Sequence, residues 1–148
     1  MKSYTNTIFS LLLLGLVLAG TSCQRTGPVL VEPIKDLPGT WKLSKVLRNS
    51  GDITEWLDIS SFRLRLQENN AYTIEGNNIP FVVDDNGEWT VDDPAYPYNL
   101  SFTPSGAGGA TVTAAIGTTV ISGKRALNVN FSPGCHSNQY VYVFEKEN

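Results

Sequence analysis

The segment Phe62-Arg63-Leu64-Arg65-Leu66-Gln67 decides the fold class of this chain. Apolar and polar residues alternate along it, and successive side chains of a β-strand point to opposite faces of the sheet. One face of the predicted strand therefore belongs to a core and the other faces solvent. The period of two excludes a helix for this segment, because an amphipathic helix repeats its apolar residues every three or four positions.

Comparable alternating runs lie on both sides of this segment, separated by turn-forming residues. Turns are predicted at Glu68-Asn69-Asn70, at Ser122-Gly123-Lys124 and at Asn86-Gly87, the strongest short hairpin signal in the chain. A short helical turn is predicted around Glu55-Trp56-Leu57. About eight strands at this spacing, with no long helix, predict an all-β sandwich or barrel. The apolar residues that carry the other runs are Trp41, Leu43, Tyr72, Ile74, Trp89, Val91, Tyr98, Leu100, Phe102, Val112, Ala114, Ile116, Leu127, Val129, Phe131 and Tyr140 to Phe144.

The N-terminal residues have the three-part layout of a secretory signal peptide. Lys2 supplies a positive charge, Ile8 to Ala19 form an apolar run, and Gly20-Thr21-Ser22 are small or polar. The run of about a dozen residues is too short to cross a bilayer, which needs roughly 20. We therefore expect residues 1–22 to be removed on export.

The segment Leu18-Ala19-Gly20-Thr21-Ser22-Cys23 resembles the lipobox of bacterial lipoproteins. The resemblance implies that the Cys23 sulfur carries a diacylglycerol and that the mature chain begins there. Residues 23–36 then form a lipidated tether with two prolines, and residues 37–148 form a single domain. We expect an outer-membrane location, with the periplasmic or the cell-surface side left open because no acidic cluster follows Cys23.

Charge and cysteine content limit the function classes. Without residues 1–22 the chain loses Lys2 and keeps 10 basic and 14 acidic residues, whereas nucleic-acid binding favours a basic face. If Cys23 is acylated, Cys135 has no partner for a disulfide, and we interpret it as a small buried apolar residue. We expect a monomer that binds no nucleic acid.

Leu37-Pro38-Gly39-Thr40-Trp41-Lys42-Leu43 resembles the opening of a lipocalin. Lipocalins begin their first strand with a Gly-x-Trp element, which Gly39 and Trp41 match, and the tryptophan closes the base of the barrel. They usually also place an arginine near the last strand against that tryptophan, whereas here the strand ends with Glu145-Lys146-Glu147. The resemblance implies a single antiparallel up-and-down barrel.

A second resemblance covers nearly the whole mature chain. It is to lipocalin-like lipoproteins of gut anaerobic Gram-negative bacteria, which are classed as a domain of unknown function. This resemblance implies a small barrel and no activity. The segments that carry it are residues 39–43, 52–54, 62–64, 86–89, 131–135 and 140–145.

Two groups of polar residues resemble metal or catalytic sites, and we interpret both groups as structural. Asp84-Asp85-Asn86-Gly87-Glu88 alternates oxygen ligands as a calcium loop does, but no bidentate glutamate follows at the right distance. Cys135-His136 contains the single histidine of the chain, and a metal site needs three or four ligands. Adjacent residues in a strand also point to opposite faces, which prevents a thiol–imidazole pair. We expect no metal, no cofactor and no enzymatic activity.

Aromatic residues near predicted loops are the candidate ligand site. Trp56 lies in the connection after the first strand, and Tyr96 and Tyr98 flank Pro97 before a later strand. Such rings stack on sugars or line apolar pockets. We expect a membrane-anchored domain that binds a small apolar, amphipathic or glycan ligand at one end of the barrel. The alternative is an interaction, inhibitor or accessory subunit at the outer membrane without a small-molecule ligand; a filled interior with exposed apolar surface favours it.

Overall fold

The computed structural model of the protein describes residues 35–76, 79–106, 108–134 and 137–147. The predicted signal peptide, Cys23, most of the predicted tether and Cys135-His136 lie outside the described residues. Lys35 and Asp36 belong to the predicted tether, yet they contact the barrel. The Lys35 amide donates to the Pro94 carbonyl at 2.9 Å, and Asp36 forms ion pairs with two barrel residues.

The described residues form nine antiparallel strands, and eight of them make a closed barrel. The first strand pairs with the third over its first four residues and with the last strand along most of its length, which closes the barrel. The prediction of an all-β, up-and-down barrel is confirmed. The strands are β1 Gly39–Arg48, β2 Gly51–Asp52, β3 Arg63–Leu66, β4 Ala71–Glu75, β5 Gly87–Val91, β6 Asn99–Pro104, β7 Val112–Ile121, β8 Lys124–Phe131 and β9 Tyr140–Lys146.

Strand direction defines two ends of the barrel. We call the end at which β1 begins the base and the opposite end the mouth. The register places residues 35–38, the turns after β3, β5 and β7, and the end of β9 at the base. The connections after β1, β4, β6 and β8 lie at the mouth. The predicted helical turn is confirmed as a short 3-10 turn, Thr54–Trp56, in the first mouth connection.

Two tight turns connect their strands without a loop. Asn49 and Ser50 join β1 to β2, and Ser122 and Gly123 join β7 to β8; all four residues have positive φ, as a type I′ hairpin turn requires. The prediction at Ser122-Gly123-Lys124 is confirmed. Of the non-glycine residues at these positions, Asn49 is of a type enriched in the left-handed conformation, whereas Ser50 and Ser122 are held in it by the turns.

The hairpin turn predicted at Asn86-Gly87 is wrong. Gly87 is the first residue of β5, and the Asn86 side-chain oxygen accepts a hydrogen bond from the Ile74 amide at 2.9 Å. A β-carbon at Gly87 would collide with the carbonyl oxygen of Thr103 on the neighbouring strand. Glycine is therefore required here for close approach of two backbones, and the actual connection before it runs from residue 76 to 86.

Candidate ligand-binding site

The structure does not bring the three predicted site residues together. Trp56 lies in the first mouth connection with 82% of its surface exposed. Tyr96 and Tyr98 lie in the β5–β6 connection at the base, 48% and 70% exposed. The two connections leave the barrel from opposite ends because β1 runs away from the base and β5 runs toward it. A single site holding all three side chains is therefore not formed, and a role for each of them in binding stays a prediction.

The interior of the barrel is filled by a side chain from its own mouth. Phe81, in the β4–β5 connection, lies within 5.1–6.1 Å of four other aromatic rings, measured between ring centroids. All four contacts are edge-to-face, the arrangement that aromatic pairs favour. The interior of this barrel is thus a packed core. In an eight-stranded barrel of the lipocalin type, by contrast, the interior holds a ligand. The four rings belong to Phe62, Phe102, Tyr142 and Phe144.

The mouth connection that carries Phe81 is itself anchored. Ile79, Val82 and Val83 are buried, and the Tyr142 hydroxyl donates a hydrogen bond to the Pro80 carbonyl at 2.6 Å. Burial raises the pKa of Tyr142, with a smaller contribution from Tyr140. The strand and turn patterns of the sequence assign no role to this segment. Its local signal is the apolar run of residues 79–83 between two polar stretches, which indicates that it packs inward.

Two buried side-chain atoms, the Tyr72 hydroxyl and the Asn128 Oδ1 atom, have no hydrogen-bond partner among the described residues. The Tyr72 side chain is 1% exposed and packs edge-to-face on Phe102, and its hydroxyl makes no hydrogen bond. Burial raises its pKa to about 12, and Asp85 and Asp84 add to the shift. Because a buried hydroxyl without a partner costs free energy, Tyr72 is held in place by the packing of its ring and not by its oxygen.

The base is closed by a tryptophan covered with charge. Trp41 is 1% exposed, and its indole nitrogen donates to the Leu37 carbonyl at 2.8 Å. The Lys146 ammonium lies 5.5 Å from the centre of the Trp41 ring. Lysine therefore supplies, from the last strand, the cation that lipocalins usually supply as arginine. A cation over an indole is among the stronger contacts of this class.

Gly39 makes this cover possible. Its φ of +138° lies in a region that favours glycine, and a β-carbon there would stand 2.6 Å from the Lys146 Cε atom. The Gly-x-Trp element thus has a physical reason in this chain. The glycine leaves room for the lysine that covers the tryptophan two residues later.

Asp36 joins two cations at the base. Its carboxylate lies 2.8 Å from the Lys146 ammonium and 3.0 Å from the Arg125 guanidinium. The hydrogen bond from Lys146 lowers the pKa of Asp36, burial opposes that shift, and the charges of Lys146 and Arg125 add to it. The carboxylate therefore stays ionised and fixes the chain segment before β1 against Lys146, the last residue of β9.

A groove of about 490 Å³ opens beside this charge cluster. It lies between residues 35–37 and the β7–β8 hairpin, and we call it the base groove. Its volume falls within the range of small-molecule sites. Apolar side chains form the floor and one wall. Two threonines, the Asp36 carboxylate and two cations, Lys35 and Arg125, form the rim. The residues that line it are Lys35, Asp36, Leu37, Trp41, Thr118, Thr119, Val120, Arg125 and Ala126.

The comparison with protein families identifies the chain as a whole. Residues 20–145 match the family described as Domain of unknown function (DUF5004). The chain belongs to the DUF5004 family. No curated protein and no solved structure matches it significantly. Membership therefore supports the resemblance to a domain of unknown function, and the DUF5004 barrel has to be interpreted from its own residues.

Two carboxylates of this DUF5004 domain, Asp52 and Asp92, serve local structure. Asp52 accepts hydrogen bonds from the Thr54 hydroxyl and amide and pairs with Lys45, and these contacts lower its pKa to about 2. Asp92 accepts from the amides of Asn99 and Tyr98, which lowers its pKa as well. Within the described ranges no three potential metal ligands of the His, Cys, Asp or Glu type come together, and no helix there is long and apolar enough to cross a membrane.

Proposed function

We propose that this domain is a lipid-anchored binding module whose ligand is a small amphipathic anion held in the base groove. The observation that supports it is the composition of that groove: an apolar floor with two cations, Lys35 and Arg125, at the rim, beside the Asp36 carboxylate that pairs with Arg125. The ligand was expected at one end of the barrel near Trp56, Tyr96 and Tyr98; the proposal places it on the outside of the base, in the groove between residues 35–37 and the β7–β8 hairpin. It assigns no catalytic step to the domain.

The floor of the base groove suits an apolar ligand body. Leu37, Trp41 and Ala126 line the groove and are buried, and Val120 forms a wall with 70% of its surface exposed. A ligand that covers this surface removes apolar area from water, which contributes about 25 cal/mol for each Å². Exposed valine beside a buried floor is therefore the place where burial by a ligand gains most.

The rim suits an anionic head group. Arg125 pairs with Asp36 through one nitrogen, while its side chain stays 59% exposed, and a guanidinium has five N–H donors. Lys35 lies on the same side, with its ammonium 5.9 Å from the centre of the Tyr96 ring. Thr118 and Thr119 of β7 also line the groove. Carboxylate, sulfonate and phosphate groups are the partners that such donors bind best.

Binding should be tested with calorimetry on the purified protein, using a medium-chain fatty acid, a bile acid and the uncharged alcohol of the fatty acid. We expect the two anions to bind and the alcohol to bind more weakly. Arg125→Ala should reduce the affinity by at least about tenfold, because a hydrogen bond to a charged group contributes roughly 1.5–3 kcal/mol and about 1.4 kcal/mol corresponds to a factor of ten.

Arg65→Ala is the matched control for that variant. Arg65 is also half exposed and also forms one ion pair, with Glu75 at 3.2 Å, but it lies on the outer wall away from the groove. It should leave the affinity unchanged. Equal affinities of wild type and Arg125→Ala, or no binding of either anion, would overturn the assignment of the base groove.

The anchor is tested separately. Metabolic labelling with a clickable fatty acid should tag the wild-type chain and not Cys23→Ala, because the lipobox-like segment ends at Cys23. Cys135→Ala serves as the control and should remain labelled. Equal labelling of wild type and Cys23→Ala would show that the chain is not a lipoprotein of the expected type.

The second candidate function is an interaction subunit. The observation that favours it is Trp56, which stands 82% exposed at the mouth side beside Lys45 and Glu55, while the barrel interior is filled. Exposed tryptophans are frequent anchors of protein interfaces. Co-purification of a membrane partner with wild type that is lost in Trp56→Ala, together with native mass spectra that show no co-purified small molecule, would favour this function over the first.

A further inference from the structure

We propose that the base of the barrel faces the membrane and that the tip of the β7–β8 hairpin enters the headgroup region of the bilayer. The proposal rests on the lipid anchor at Cys23 proposed above and adds an orientation to it. Its basis is the place where the chain reaches the barrel, the exposed apolar residues of the tip, and the cations that come after them in the chain.

The chain reaches the barrel at the base. The Lys35 amide bonds to Pro94, and Asp36 is fixed by Lys146 and Arg125, so the segment before β1 is attached to that end. Cys23 precedes Lys35 by about a dozen positions, which span at most about 40 Å when fully extended. A lipid at Cys23 therefore limits the distance between the base and the bilayer to about 40 Å, and the hairpin tip decides which end faces the bilayer.

The β7–β8 hairpin projects from this end. The register with β6 stops at Ala115, and beyond Ile116, which bonds to the Tyr98 carbonyl, β7 continues to Ile121 paired with β8. The tip carries Val120 and Ile121, 70% and 45% exposed. A projecting pair of exposed β-branched apolar residues is unfavourable in water, and burial among lipid headgroups and upper acyl chains relieves that cost.

Cations come directly after the tip. Lys124 is 62% exposed and lies 3.6 Å from Glu145, and Arg125 is 59% exposed and pairs with Asp36. Both pairs are open to solvent, so the cations can also meet phosphate oxygens, as basic residues next to an inserted apolar tip do. The hairpin thus carries exposed apolar residues at its tip and two cations, Lys124 and Arg125, directly after them. This order matches the acyl chains and phosphates at the surface of a bilayer with anionic lipids. The base groove then opens toward the layer from which an amphiphile would arrive.

The orientation can be measured by quenching with brominated lipids. The acylated full-length protein would be reconstituted into vesicles of brominated phosphatidylcholine and phosphatidylglycerol, with Ile121→Trp as the reporter. We expect the fluorescence added by this residue to lose about half of its intensity, since bromines carried high on the acyl chains lie next to the boundary between headgroups and acyl chains that the tip reaches. Val120→Trp repeats the test at the neighbouring exposed position.

Thr103→Trp is the matched control, because Thr103 is an exposed strand residue near the mouth. Its added fluorescence should be nearly unquenched. Equal quenching of the two reporters, stronger quenching at Thr103, or a tip covered by a second copy in cross-linking would overturn the orientation while leaving the anchor intact. Failure of the wild-type protein to float with the vesicles would overturn the anchor, and the orientation with it.

Discussion

The two ends of the barrel are closed by different chemistry. At the mouth, an apolar connection turns inward and inserts Phe81 among four aromatic rings. At the base, a buried tryptophan is covered by Lys146, which is held in turn by Asp36. The mouth is thus sealed by apolar contact that excludes water, and the base is sealed by a layer of charge that remains wet.

This difference shows where a ligand can bind without unfolding part of the domain. Access through the mouth requires removal of a connection whose Ile79, Val82 and Val83 are buried. The base groove is open in the structure and needs no such rearrangement. A lipocalin-like barrel can therefore keep its strand topology and present its ligand-accessible surface on the outside of the base.

The largest effect is expected from the tryptophan of the base. Trp41→Ala should lower the free energy of unfolding by roughly 3–5 kcal/mol, the range for a buried aromatic side chain, because it also removes the bond to Leu37 and the surface under Lys146. Chemical denaturation measures this. Trp56→Ala is the control and should change stability by less than about 0.5 kcal/mol, as exposed positions do. Similar losses in the two variants would show that the base is not closed by Trp41.

The mouth should respond to removal of its inserted ring. Phe81→Ala should cost about 2–3 kcal/mol, less than a fully buried phenylalanine because Phe81 is partly exposed, and should leave an apolar space among the remaining rings. Indole or toluene should then raise the melting temperature of the variant and not of the wild type. Phe81→Leu, which fills most of the space, is the control. A variant that neither loses stability nor responds to these compounds would contradict the filled interior.

Two buried tyrosines sharpen the description of the mouth. Tyr142→Phe should cost about 1 kcal/mol because it removes a hydroxyl that bonds to Pro80, whereas Tyr72→Phe removes a hydroxyl without a partner among the described residues and should be neutral or stabilising. Both variants keep the ring, so chemical denaturation isolates the oxygen. A larger loss for Tyr72→Phe would reverse the assignment.

The same tyrosines give an alkaline signature. Their pKa values are raised above the ordinary value of 10.0, so the folded state holds these protons more tightly than the unfolded state does. This contribution to stability is complete below pH 10 and is lost as the pH rises from there, through about 12 for Tyr72. In an alkaline titration, part of the tyrosinate absorbance should therefore appear only well above pH 10. This part should be smaller in Tyr72→Phe and in Tyr142→Phe than in the wild type. Titration of all tyrosines together near their ordinary pKa would contradict their burial.

The smallest effect is expected from the charge layer of the base. Asp36→Asn should cost about 0.5 kcal/mol, since the carboxylate is exposed and its ion pairs are screened by solvent. The pKa of Asp36 is lowered in the folded state, so the stabilisation is present above its ordinary value of 3.8 and disappears as the pH falls below that value. Thermal melts of wild type and variant should differ at neutral pH and converge in acid. A constant difference at both would exclude an electrostatic origin.

Much of the barrel could be predicted because its strands carry their own period. The alternation from Phe62 to Leu66 and from Leu127 to Phe131 requires no knowledge of neighbours, since a strand with one buried face shows it locally. The turn at Ser122-Gly123 is equally local. The Asn86-Gly87 prediction fails because the same glycine serves a contact with Thr103, which lies beyond the reach of any local pattern.

The candidate site was less predictable for the same reason. Trp56, Tyr96 and Tyr98 each lie near a loop as expected, but only the pairing of strands decides at which end each loop lies. The base groove combines residues 35–37 with positions near 118 and 125, far apart in sequence. Phe81 has a local signal in its apolar run, and its destination inside the barrel depends on the rings that surround it.

The pairing of β1 with β9 has a consequence for how the domain forms. Trp41 lies opposite Lys146, and Arg48 lies opposite Tyr140. The strand pairing that closes the barrel therefore joins residues separated in sequence by most of the domain. Closing a loop of that length costs entropy before any contact repays it, and chains dominated by such contacts fold slowly. The first strand also has no partner on this side until the last seven-residue strand exists. Deletion of β9 should therefore prevent folding altogether, because the barrel stays open on this side of β1 until β9 has been made.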